Sequence, residues 1–308
     1  MRTSTWIAGA LQVSVLSSFS FALGCSASSE SVSTAGMDLS ADGADTTPTP
    51  PPQAKAAGFT DLVFDATFDT LNLCNTGTGK CTWYNPGIYW QNPATGASTP
   101  NNKGDVLNLP WNTNEPNYHP SNTTVGTMAA NGENTTSWLH FYVEISMSFP
   151  PTTGVWPALW LENNAATTSY VPKESSTHHY GELDVFEWQS QSPGVFNGTI
   201  HDWSGSPVKD VESNNGHNTA NLPSGTKLAD YNTYGVLWTE TEIQWYFNNK
   251  LLLSATSSTY PAAFAILNAS PMYLMLGNQA GSNWGGSGSK DPTSETVMKV
   301  QWVHVWQK

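Results

Sequence analysis

Leu139-His-Phe-Tyr-Val-Glu-Ile-Ser-Met-Ser-Phe149 is the most regular stretch of the chain. Leu139, Phe141, Val143, Ile145, Met147 and Phe149 share one face of an extended backbone. His140, Tyr142, Glu144, Ser146 and Ser148 share the other. This period of two predicts a strand with one face in a core and the other against solvent or a groove. Working outward, Ile243, Trp245 and Phe247 alternate before Asn248-Asn249, a hairpin signal, and Leu251 resumes a strand. Met272–Leu276 and Val300–Trp306 are further strands. Long helical periods are lacking, and the short runs are broken by Gly, Pro and Asn. The expected fold is all-β, a jelly-roll sandwich of two antiparallel sheets over about 250 residues.

Charge narrows the ligands. The 308 residues carry a net charge of −13, and Arg2 is the only arginine. Nucleic acid is excluded as a partner, because phosphate neutralisation needs a Lys/Arg footprint. Sulfated or uronate-rich polymers are disfavoured for the same reason. A neutral ligand fits.

Residues 1–25 read as an export signal: Arg2 precedes an apolar run from Trp6 to Leu23 that ends in small residues. Ala22-Leu23-Gly24-Cys25 resembles a lipoprotein box, which would make Cys25 the lipidated residue and place the protein at the cell surface or outer membrane; a plain secretory signal is the alternative. Residues 26–58, including Thr46-Thr-Pro-Thr-Pro-Pro-Pro52, read as a disordered Ser/Thr/Pro-rich tether. The folded domain is expected over 59–308, as a monomer. Cys74 and Cys81 bracket a six-residue polar loop and could close a small disulfide or remain two thiols. A metal site is not expected, with no CxxC pair and no grouped His near them.

The chemistry concentrates at Gly181-Glu-Leu-Asp-Val-Phe-Glu-Trp188. Three carboxylates within six positions are unusual in a chain that is 11% charged. On a strand, Glu182 and Asp184 share a face and Glu187 falls out of phase. A β-bulge at Val185/Phe186 would return Glu187 to that face, and bulges are common beside active sites. Neighbouring acids push their pKa values apart, which suits a reaction needing one ionised and one protonated carboxyl, above all glycoside hydrolysis.

Five motifs in order resemble glycoside hydrolase family 16. They are Gly181–Glu187 itself, Gly154-Val-Trp-Pro-Ala-Leu-Trp-Leu161, Thr199-Ile-His201, the paired runs Tyr234–Trp238 and Ile243–Tyr246, and Asn283-Trp-Gly-Gly286 with Val300–Val305. The resemblance implies a jelly roll with a concave glycan-binding face. It implies Glu182 as nucleophile, Glu187 as acid/base and Asp184 as an assisting residue. Trp156, Trp160, His201 and Trp284 would bind substrate; Trp203, Tyr89 and Trp90 are candidates for outer subsites, and Trp188 reads as core. Two positions depart from the family. The strand through Ser146 lacks an Arg the family often carries. Gln301 stands where an Asp often helps hold a structural calcium ion on the convex side, so a calcium site here would be weak. No cofactor is required for the reaction.

The resulting expectation is an endo-acting, retaining hydrolase of a neutral β-linked polysaccharide, β-1,3-glucan or mixed β-1,3/1,4-glucan. The other readings are hydrolysis of a galactan such as agarose, transglycosylation, and a non-catalytic carbohydrate-binding protein.

Overall fold

The computed structural model describes residues 47–74, 81–85, 99–111, 124–126, 136–164, 178–205, 209–210, 218–280 and 295–308. Cys25, Tyr89, Trp90, Trp284 and the export segment lie outside the described residues. Along the chain, helix α1 (Pro52–Ala56) precedes strands β1 (Asp61–Thr67), β2 (Leu73–Cys74), β3 (Trp83–Tyr84), β4 (Asn101–Lys103), β5 (Val106–Trp111), β6 (Thr124–Gly126), β7 (Phe141–Ser148), β8 (Val155–Asn163), β9 (His178–Glu187), β10 (Val195–Gly205), β11 (Lys209–Asp210), β12 (Asn218–Asn221), β13 (Asn232–Trp238), β14 (Glu242–Phe247) and β15 (Lys250–Thr256). Helix α2 (Pro261–Leu267), β16 (Met272–Ala280) and β17 (Thr296–Gln307) complete it.

Two sheets form, as expected. One runs β15-β14-β13-β7-β17-β5-β4, with β1 also paired to β17; the other runs β11-β10-β9-β8-β16-β6-β3-β2, with β12 on β10. Pairing is antiparallel except between β2 and β3. Alternation along each strand builds the shared core. Val143, Ile145 and Met147 of β7 meet Leu159 and Leu161 of β8, Leu183 of β9 and Val303 and Val305 of β17, all fully buried. Each such side chain contributes about 1.5–3 kcal/mol by leaving water. The β14–β15 turn is as the sequence implied: Asn248 and Asn249 take φ of 46° and 62°, the left-handed region that Asn tolerates, and Phe247 pairs with Lys250. The Cys74 and Cys81 sulfurs are bonded, with Cα atoms 5.7 Å apart.

The structure differs from expectation on the far side of β7. Tyr142, Glu144, Ser146 and Ser148, which the alternation places against solvent or a groove, are all buried. The tether assigned to 26–58 does not reach 58 as a free segment. Its end folds as α1, with Pro at the first turn where a missing N–H costs nothing. Ala54 and Phe59 pack there against Tyr142, Leu237, Tyr246 and Trp306, and Gln53 Nε2 donates to Tyr142 Oη at 2.6 Å. The Tyr142 end of this face of β7 is therefore covered by a segment whose composition reads as linker, while Ser146 donates to Gln301 of β17. Leu139, placed in the core by its parity, precedes β7 and is 39% exposed.

Candidate active site

Strand β9 lies between β8 and β10. Against β8, Glu182 faces Glu162, Leu183 faces Leu161, Asp184 faces Trp160, Phe186 faces Leu159 and Glu187 faces Ala158. Val185 has no opposite residue. Against β10, three steps from Asp184 to Glu187 match two steps from Thr199 to Asn197. A bulge therefore sits where the phase error required one. Val185 and Phe186 both turn into the core, together with Trp188, and Glu182, Asp184 and Glu187 share the opposite face.

Several contacts hold this strand. Asn163 Oδ1 accepts from Gly181 N–H at 2.6 Å, while its Nδ2 donates to Leu267 O and Ser270 O. The start of β9 is thereby tied to α2. Gly181 is needed for the close approach: a Cβ there would lie 2.7 Å from Leu267 Cδ2. At the bulge, Trp245 Nε1–H crosses the core to Asp184 O at 2.7 Å, and Asn197 Nδ2 donates to Glu187 O at 2.9 Å.

The side chains form one network. His201 Nε2 lies 2.9 Å from Asp184 Oδ2, and both groups are buried. Trp156 Nε1–H donates to Glu187 Oε1 at 2.9 Å. Burial first, then the charge of Asp184, pushes Glu187 up to about 8; His201 and the Trp156 N–H pull it down. Burial, and next Asp184, likewise hold Glu182 well above the usual carboxylate range. The titrations of Glu182 and Glu187 are thereby linked, because each lies in the field of the other's charge. Glu182, Asp184 and His201 offer donor atoms within 4.8 Å of one another. Of the three, His201 and Asp184 are joined by the hydrogen bond just described.

Of the residues expected to bind substrate, Trp156 is partly exposed on this face and holds Glu187. Trp160 is on the same face but only 5% exposed, so it forms floor rather than platform. His201 is turned to Asp184. Trp203 lies on β10. Sequence reasoning missed Glu162 and Tyr273, which face each other across β8 and β16 beside Glu182. Glu162 follows Trp156 and Trp160 at even spacing, and that parity was the available signal.

A model of the glycosyl hydrolases family 16 matches residues 97–304, more than half of the chain. The chain belongs to this family. A glucan endo-1,3-beta-glucosidase A1 of Niallia circulans is 30% identical over 178 residues, 54% of this chain and 24% of that protein. An endo-1,3-1,4-beta-glycanase ExsH of Rhizobium meliloti is 28% identical over 275 residues, 79% of this chain and 51% of that protein. This chain thus spans about half or less of the length of these relatives. The catalytic domain of an endo-1,3-beta-glucanase (laminarinase) from Thermotoga petrophila superposes with a TM-score of 0.58 at 18% identity, covering 80% of this chain and 98% of that domain, and shows the same fold. The two departures from the family pattern meet in space: Ser146 Oγ–H donates to Gln301 Oε1 at 2.8 Å. The carbonyl oxygen that Gln301 could offer a calcium ion in place of a carboxylate is thereby engaged by a hydroxyl.

Proposed function

We propose that this protein is an endo-acting, retaining β-glucanase that cuts neutral β-1,3-glucan or mixed β-1,3/1,4-glucan. The observation that carries the reading is the bulged strand, which brings Glu182, Asp184 and Glu187 to one face with a proton retained on Glu187 up to about pH 8. Glu187 gives that proton to the glycosidic oxygen as the bond to C1 breaks, and the Glu182 carboxylate closes on C1 to form a glycosyl ester. The first product leaves. Glu187, now ionised, takes a proton from water, whose oxygen attacks C1 and releases Glu182. Asp184, between them and bonded to His201, biases the shared proton toward Glu187. Retention follows from two successive displacements. The glucan preference is supported by the two glucanase relatives and by a chain whose charge suits a neutral polymer. Export, expected from residues 1–25, suits a substrate too large to enter a cell, and the Cys74–Cys81 bond suits an oxidising compartment.

The test is reducing-end release from laminarin, barley glucan and agarose, with the anomer of the fresh product read by NMR. Cleavage of the glucans with β-anomer released first is expected. Glu182→Gln and Glu187→Gln should each lower the rate by about a thousandfold or more. Cleavage of agarose alone would overturn the glucan assignment, and an undiminished Glu182→Gln variant would overturn the mechanism.

A further inference from the structure

Glu162 is an acid that the mechanism above does not use. Along β8, Leu159 and Leu161 enter the core, so Trp160 and Glu162 lie on the groove side. In register, Glu162 stands directly opposite Glu182 on β9 and opposite Tyr273 on β16; Glu182 in turn faces His201 on β10. Tyr273, Glu162, Glu182 and His201 therefore form one row across four strands. Glu162 is 2% exposed. Tyr273 Oη–H donates to Glu162 Oε2 at 2.5 Å, and the Trp160 indole also hydrogen-bonds its carboxyl. Both partners are donors, which is the setting of a carboxylate rather than a carboxylic acid. The titratable groups that face Glu162 are Tyr273 from β16, Glu182 and Asp184 from β9, and His201 from β10. Burial pushes its carboxyl up to about 7, against the pull of Tyr273 and Trp160. A negative charge directly across from Glu182 opposes the ionisation that a nucleophile requires.

We propose that Glu162 is a positioning residue of the active site, a carboxyl that anchors the Trp160 indole and the Tyr273 phenol beneath the groove and, when it carries its charge, governs when Glu182 can ionise. Its kinetic consequence rests on Glu182 being the nucleophile. In a plot of kcat/KM against pH, the acid limb reports ionisation of the nucleophile and the alkaline limb loss of the proton from the acid. Glu162→Gln keeps the side-chain shape and removes the charge. The acid limb should then move to lower pH by about one unit, while the alkaline limb, set by Glu187, stays in place. Tyr273→Phe removes one donor from the Glu162 carboxylate, weakens its ionisation, and should move the same limb in the same direction by less. This milder variant keeps the test intact if Glu162→Gln folds poorly. Unmoved limbs with only a lower kcat would make Glu162 structural and overturn the inference. A wild type inactive on laminarin would instead sink the proposed substrate. The charge coupling is then read without substrate, by carboxyl-carbon NMR, with the Glu182 signal assigned by its loss in Glu182→Gln. A lower Glu182 midpoint in Glu162→Gln supports the coupling, and equal midpoints overturn it.

Discussion

At the scale of single residues, the site works by what surrounds each carboxyl. Glu187 and Glu182 are chemically the same, yet Glu187 receives an indole N–H from Trp156 and stands opposite Ala158, while Glu182 stands between Glu162 and His201. The Trp156 hydrogen bond favours the ionised form of Glu187 and so opposes the burial that raises it. Trp156→Phe keeps an aromatic ring but removes that donor. Glu187 should then hold its proton longer, and the alkaline limb of kcat/KM should move up by about half a pH unit. A limb that moves down, or stays, would remove Trp156 from the control of the acid. The clustering of acids and the parity of the tryptophans were legible in sequence. The partner of His201 was not, because Asp184 and His201 lie on different strands whose register only the folded sheet sets.

At the scale of elements, the irregularity of strand β9 is what gathers its acids on one face. The bulge swallows one residue, so both Val185 and Phe186 reach the core and Glu187 returns to the groove. The phase error could be read from spacing. The brace that holds the bulge could not: Trp245 comes from the other sheet and donates across the core to Asp184 O. Gly198 on β10 makes room for that indole, since a Cβ there would lie 2.5 Å from Trp245 Cδ1 and Nε1. A rigid ring cannot yield as a flexible side chain would. Gly198→Ala should cost about 1–3 kcal/mol in thermal unfolding. It should also lower kcat about tenfold, because the bulge and Glu187 shift with the ring. Full activity at unchanged melting temperature would show the brace to be dispensable.

For the whole molecule, the two sides of the sandwich bury acids differently. The groove side holds Glu162, Glu182, Asp184 and Glu187. The far side holds Glu144, hydrogen-bonded by Tyr142 Oη–H at 3.0 Å and paired in register with His304, while Gln53 of α1 donates to that same Tyr142 hydroxyl. Burial raises Glu144 from its ordinary 4.5 to about 7. Between those values the folded protein holds a proton that the unfolded chain releases, so stability falls as pH rises through the window. Glu162 and Glu187 act with the same sign. Glu144→Gln removes one of these protons from the balance. It should be more stable than the wild type by about 3 kcal/mol at pH 8 and nearly equal to it at pH 4.5. Melting curves at both values check this, and a variant less stable at pH 8 would mean that the Glu144 charge holds α1 in place.

The alternation in Leu139–Phe149, the three acids and the bulge were written into the chain, because period-two patterning and spacing are local properties that act before any long-range contact forms. Local pattern also misled. The polar face of β7 carries the signature of an exposed surface and is buried, and a Pro-rich segment that reads as linker covers its Tyr142 end. Whether a face is wet depends on what packs over it, here a helix whose Gln53 reaches a tyrosine 89 positions away. The row Tyr273–Glu162–Glu182–His201 is of the same kind. Four strands contribute one residue each, and none of the four marks the others in sequence. Strand order and register decided that row, and with it the charge around Glu182.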